Sequence, residues 1–255
     1  MKYVITERQL SILMEGEIEE IGTARGYYRA DPMNDWLSYV INNLPNKKLI
    51  KVFKEYFGGE MGKDISSWDE DKIEKYFSSI SNNNEKPLGS RNYYFYNAVT
   101  GLAYYIAQKY YKIKETEWGL NYVKIERSSK DYKEFYFFDP MMEIFVGKIS
   151  VSRDRNFTAK VWKVSTSAAE RKLIGMGYGL KMYFSILENV DYLLSDTILY
   201  SGSLRIWRDV LPKYCNTWWI DKEGEWNKFG PEEGKNIPIK DTLQFVASFY
   251  HETEI

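Results

Sequence analysis

Ile174-Gly175-Met176-Gly177-Tyr178-Gly179-Leu180-Lys181 is entered by a strand-like segment and left by a strongly amphipathic helix. Glycines at alternate positions remove the Cβ atoms that would block close approach of the backbone, so amide groups opening the helix can face an anion. The helix N-terminus adds a partial positive charge, worth about 0.3–1 kcal/mol to a nearby anion. The same triplet also serves a tight turn or close helix–sheet packing, so the flanks must decide.

Upstream, aromatic and β-branched runs at residues 122–125, 135–138, 144–151 and 157–164 predict strands. Arg153-Asp154-Arg155-Asn156 reads as the turn between the last two, making them an antiparallel pair. A helix over about 92–112 precedes these strands. Downstream, Leu180, Tyr183, Phe184 and Leu187 share a helix face, and Tyr192–Leu194 is a short strand. Ser201 or Ser203 caps a further helix that Pro212 ends. Trp218–Trp226 reads as a hairpin around Asp221–Gly224, and Leu243–Tyr250 alternates like a final strand.

The N-terminal part reads differently. Thr6 and Gln9 have capping-box spacing before a helix over about 7–21, and Ser67 and Glu70 have it before another carrying Ile73, Tyr76, Phe77 and Ile80. Between them, Leu37, Val40, Ile41 and Leu44 mark a helix stopped by Pro45, and Leu49, Phe53, Tyr56 and Phe57 one stopped by Gly58-Gly59. The polar, turn-rich stretch 81–90 is the natural border, dividing residues 1–90, a small helical region, from 91–255. The fold class is α+β: a mixed, mostly antiparallel sheet flanked by helices and preceded by the helical region.

Composition removes several classes of function. The 255 residues carry 35 Lys and Arg against 36 Asp and Glu, so no overall field favours nucleic acid or an anionic membrane. Lys47, Lys48, Lys51 and Lys54 are the strongest local basic set, and they read as the solvated face of one helix rather than a nucleic-acid contact. With one cysteine, Cys215, and one histidine, His251, there is no internal disulfide and no multi-histidine metal site. Cys215 reads as a small buried residue and His251 as a surface one. No signal-peptide core and no apolar run of about 18 residues is present, which predicts a soluble chain that is intracellular, in the cytoplasm of a bacterial host cell, at synthesis.

A meander, a glycine turn opening a helix, a strand and a second helix do not make a dinucleotide-binding unit, which needs parallel strands and an acidic residue on the second. The segments Val146–Ile149, Lys160–Ser165, Ile174–Gly179, Leu193–Asp196 and Ser203–Trp207 together resemble the core of the GNAT family of acyl-CoA-dependent N-acetyltransferases. The similarity is nearest to divergent bacteriophage members and covers about residues 115–220. Val4–Leu10 also resembles openings of phage proteins of varied function.

The resemblance implies acetyl-CoA as cofactor, no metal, and transfer of an acetyl group to an unidentified amine. It implies Val164 and Ser165 on the strand that meets the pantetheine arm, and Gly175, Gly177, Tyr178 and Gly179 on the pyrophosphate turn. Ile174 stands where the family has Arg or Gln, with Arg171 and Lys172 just upstream. Trp207 stands where family members often carry the tyrosine that protonates the departing thiolate, and indole cannot be that acid. Tyr200 and Ser203 are the substitute hydroxyls, and Asp196 is the candidate base or amine-orienting group. Each has a plainer reading, as packing residue, helix cap and turn carboxylate respectively.

These departures support an alternative: a catalytically silent scaffold of the same fold, a phage structural, cargo or host-interaction component with a protein assembly partner. In that case the chain belongs to a virion or a host cytoplasm.

Overall fold

The computed structural model describes residues 32–60, 69, 71, 72, 75, 91–126, 130–155, 161–170, 173–196, 199, 201–238 and 242–249. The helix expected over 7–21, nearly all of that expected after Ser67, and His251 lie outside them. In chain order come α1 (Pro32–Asn43), α2 (Asn46–Glu60), α3 (Arg91–Tyr110), β1 (Ile113–Glu115), β2 (Asn121–Glu126), β3 (Tyr132–Asp139), β4 (Ile144–Arg153) and β5 (Val161–Ala169). After them come α4 (Tyr178–Leu187), β6 (Tyr192–Leu194), α5 (Ser201–Arg205), β7 (Asn216–Asp221), β8 (Trp226–Phe229) and β9 (Thr242–Ser248).

The strands form one sheet in the order β1-β2-β3-β4-β5-β6-β9-β7-β8. β1 to β5 are successive neighbours joined by connections too short for a crossover, so they form an antiparallel meander. β5 and β6 pair in parallel, and α4 is the crossover such a pair requires. β9 then inserts between β6 and β7, antiparallel to both. This mixed, mostly antiparallel arrangement with flanking helices is the expected one.

The chain divides into two compact units, one holding the described residues of 31–124 and 136–147, the other those of 125–135 and 148–255. In the first, α1 and α2 each pack on α3, joining helices from both sides of residue 90. Trp36 is fully buried, and its Nε1–H donates to the Ala103 carbonyl at 3.3 Å. Its ring meets Tyr111 and Tyr136 at 5.1 Å and Phe138 at 5.5 Å between centroids. Aromatic pairs of this geometry add about 0.5–1.5 kcal/mol each beyond area burial, so Trp36 anchors this core. The Lys47, Lys48, Lys51 and Lys54 side chains are exposed, as a solvated helix face requires.

In the second unit, Val161, Tyr192, Leu194, Trp218, Ile220 and Val246 form a cluster across β5, β6, β7 and β9, with Trp226 packed against it. α4 buries Tyr178, Leu180, Met182, Tyr183, Phe184, Ile186 and Leu187. Glu134 and Lys148, both almost fully buried, form an ion pair at 2.6 Å between β3 and β4. Cys215 is half-buried, desolvation pushes its thiol up to about 12, and its Sγ–H donates to the Leu211 carbonyl at 3.1 Å.

Several local expectations are corrected. α2 runs through Gly58-Gly59 to Glu60, because a glycine ends a helix only where a left-handed cap or a competing bond is available. Ser203 lies inside α5, which begins at Ser201, so it is not that helix's cap. α5 passes directly into a π-helical turn over Ile206–Val210, then a 3-10 turn over Leu211–Lys213 that carries Pro212.

Candidate functional site

The parallel pairing of β5 with β6 lasts only three residues: Val161 with Tyr192, Trp162 with Leu193, Lys163 with Leu194. β5 nevertheless continues to Ala169. The β6 side turns instead to β9. Ser195 N–H donates to the Phe245 carbonyl at 2.8 Å, Phe245 N–H donates to Ser195 Oγ at 2.9 Å, and Gln244 Nε2–H donates to the Ser195 carbonyl at 2.8 Å. The registered pairing therefore ends at Lys163 and Leu194, and among the described residues β5 continues through 164–169 with no β6 partner. Such an edge offers its own N–H and C=O groups to whatever enters the gap.

Val164 and Ser165 begin this free stretch. Val164 is buried, while Ser165 is exposed and donates its hydroxyl to Ser152 Oγ at 3.2 Å. The rest of the edge, Thr166 to Ala169, was missed from sequence because Ser-Thr-Ser reads as loop.

The glycine turn follows. Gly175 and Gly177 have φ of 90° and 79°, the left-handed region that a side chain resists. Gly177 is the residue from which α4 starts. The first amide to close an α4 turn is that of Lys181, which donates to the Gly177 carbonyl at 3.3 Å. Gly179 and Leu180 therefore carry amides with no intrahelical acceptor, as any helix start must. The Met176 amide is committed, donating to the Leu173 carbonyl at 3.1 Å. Gly179 is not left-handed, and a Cβ there would stand 3.5 Å from Ile206 Cδ1, an ordinary contact. Its placement serves helix packing as readily as a ligand.

Tyr178 is turned inward and buried, and the Lys181 ammonium lies 5.6 Å from its ring centroid. Ile174 and Met176 point the other way, 60% and 48% exposed. Ile174, where an arginine or glutamine was expected, brings no charge to the turn.

The expected catalytic residues divide. Asp196 follows β6 and is half-buried, with its carbonyl accepting from the Ser195 hydroxyl at 2.9 Å. Ser203 is half-buried in α5, and Tyr200 lies outside the described residues. Trp207 is fully buried in the π-helical turn, packed edge-on against Tyr183 at 5.4 Å and 73°. A π-turn adds a residue to the helical repeat, so an α-helical register counted from Ser203 and Ile206 does not fix the direction of Trp207.

Tyr183, on α4, is the group the sequence reading passed over. It is buried, and burial raises the pKa of its hydroxyl; hydrogen bonding by the Ser167 and Trp207 side chains pulls the other way, and the Asp196 charge adds to the rise. Trp207 Nε1 acts on that hydroxyl but is not aligned on any acceptor among the described residues. Ser167 lies on the free part of β5 and is exposed. The signal available in sequence was a phenol on an otherwise apolar helix face, which needs a polar partner once buried.

No protein-family model matches the chain, and no curated protein matches it. Among solved structures, a Bacteroides thetaiotaomicron protein assigned to the GNAT family of acetyltransferases is similar, with 10% identity and a TM-score of 0.30. The alignment covers 49% of this chain and 66% of that one. A likeness at that level carries no weight for fold or function, which stand on the topology and geometry above. Among the described residues there is no helix long and apolar enough to cross a membrane, and no group of three or more metal-ligating side chains.

Proposed function

We propose that the chain is an acyl-CoA-dependent N-acyltransferase of GNAT-like fold, transferring an acetyl group from acetyl-CoA to an amine. The observation that carries this reading is the parting of β5 from β6 beside a left-handed glycine turn. The free edge of β5 supplies amides and carbonyls in extended spacing, matching the alternating groups of a pantetheine arm. The turn and the first amides of α4 supply donors for a phosphate at the end of that arm.

On this reading Val164 and Ser165 open the pantetheine strand, and Gly175, Gly177, Tyr178 and Gly179 form the phosphate turn. Tyr178 contributes its backbone, since its ring is buried. When bound, acetyl-CoA supplies the activated thioester. Asp196, at the exit of β6, orients or deprotonates the incoming amine, and Ser203 or Tyr200 supplies a hydroxyl near the same loop.

The test is calorimetric titration of the full chain with acetyl-CoA and CoA. Saturable binding that is weakened at least ten-fold by Gly177→Val supports the reading. Absence of binding at millimolar ligand, in folded protein, overturns it.

A second reading is favoured by specific residues. Tyr178 and Trp207 are buried while Ile174 and Met176 are exposed, so the turn shows an apolar surface in place of a cationic one. A scaffold of this fold that uses the turn as a protein contact, in a phage assembly or against a host protein, would need no ligand. It gives the opposite result: no CoA binding, and no effect of Gly177→Val beyond stability.

A further inference from the structure

Lys181 stands against the electrostatics of its own helix. Its amide closes the first turn of α4, donating to the Gly177 carbonyl at 3.3 Å. The N-terminal end of a helix carries partial positive charge, so acidic side chains are stabilising there and cations are stabilising at the other end. α4 has no acidic residue in its first turn, and Lys181 brings further positive charge to the same place.

The ammonium is also directed. A helical side chain lies over the turn N-terminal to its own Cα, and the Lys181 ammonium is found there, 5.6 Å from the ring centroid of Tyr178. Tyr178 is buried, so its ring is a fixed support that holds the charge through a cation–π contact. Lys181 is half-buried, and among the described residues its ammonium meets no carboxylate. A cation held at the positive end of a helix, beside the Gly179 and Leu180 amides that lack intrahelical acceptors, repels its surroundings until an anion arrives.

We propose that Lys181 is the cation that binds the pyrophosphate of the acyl-CoA, steadied by the Tyr178 ring and supplying the charge that Ile174 does not bring. This rests on the acyltransferase reading and moves the charged phosphate contact from the residues before the turn to a side chain of α4. The Gly179 and Leu180 amides hydrogen-bond phosphate oxygens, and the ammonium balances their charge.

The experiment measures dissociation constants for CoA and for dephospho-CoA, which keeps the pyrophosphate and lacks only the ribose phosphate. It uses the full chain, Lys181→Met, Lys181→Arg and the double variant Arg171→Ala with Lys172→Ala, and takes a ligand-free urea midpoint for each. A charged contact at a half-buried site is worth about five- to ten-fold in affinity, so Lys181→Met should weaken both ligands by that factor, and the loss should shrink at high salt. Lys181→Arg should keep most of the affinity. The urea midpoint of Lys181→Met should be unchanged or higher, because a repelling charge has gone. Unchanged affinity in Lys181→Met overturns the assignment, and so does a loss confined to CoA, which would place the contact on the ribose phosphate. A loss seen in the double variant while Lys181→Met binds as before gives the charge to Arg171 and Lys172, and overturns it likewise. A joint fall in midpoint and affinity in Lys181→Met, not repaired in Lys181→Arg, means that the lysine serves the fold instead. Failure of the unaltered, folded chain to bind either ligand sinks the acyltransferase reading together with this one, whereas CoA binding that ignores Lys181 sinks this one alone.

Discussion

Three glycines in one sequence run are not equivalent once their backbone angles are known. Gly177, at φ 79°, tolerates a side chain only with strain of about 1–2 kcal/mol, and Gly177→Ala is expected to lose that much in urea denaturation. Gly179 is helical with room for a methyl group, so Gly179→Ala should be neutral or stabilise by up to about 1 kcal/mol through helix propensity. A Cβ on Gly234 would run into the Arg208 carbonyl oxygen, which is backbone and cannot swing aside. Gly234→Ala should therefore cost about 1–3 kcal/mol, read as a fall in the urea midpoint. The alternate spacing was legible in the sequence; which of the three the turn requires was not, since φ is decided by the connection between β5 and α4.

At the scale of elements, the strands and helices with strong alternation were legible to within a few residues. β6 was recovered in full, and β2, β3, β4 and β9 closely. The misses share a cause, which is tertiary override of local propensity. β5 extends through Ser165-Thr166-Ser167 because the β4 side of the sheet holds it, as the bond between the Ser165 and Ser152 hydroxyls illustrates. β1 was not expected because three residues carry no periodicity, and its pairing with β2 supplies what the sequence lacks. The π-turn at Ile206–Val210 has no sequence signature, and it holds the buried Trp207. Tyr183 reads as core on the α4 face, and it is buried there. Within α1, Trp36→Ala is expected to cost about 3–5 kcal/mol, and Trp36→Phe less, the remainder being the indole bond to Ala103; chemical denaturation of both variants measures the split.

For the whole molecule, charge balance sets few constraints at neutral pH, but the alkaline range is different. Burial pushes Cys215 and Tyr111 up to about 12, and raises Tyr183. Each group binds its proton more tightly folded than unfolded. The stability they contribute is complete below about pH 9, the ordinary range of a thiol, and is lost as pH rises towards 12. The urea midpoint should thus fall steadily above about pH 9. Cys215 should resist thiol reagents in the native state and react on unfolding; rapid native-state labelling would contradict its burial.

The place of β9 has a consequence for synthesis. Residues 242–248 complete both β6 and β7, yet they are the last described strand to leave the ribosome. Until they emerge, two hydrophobic ribbons wait with open hydrogen-bonding edges, a state prone to pairing with other nascent chains. Slow translation or premature release near Pro238 should therefore yield aggregates rather than a shortened but working protein.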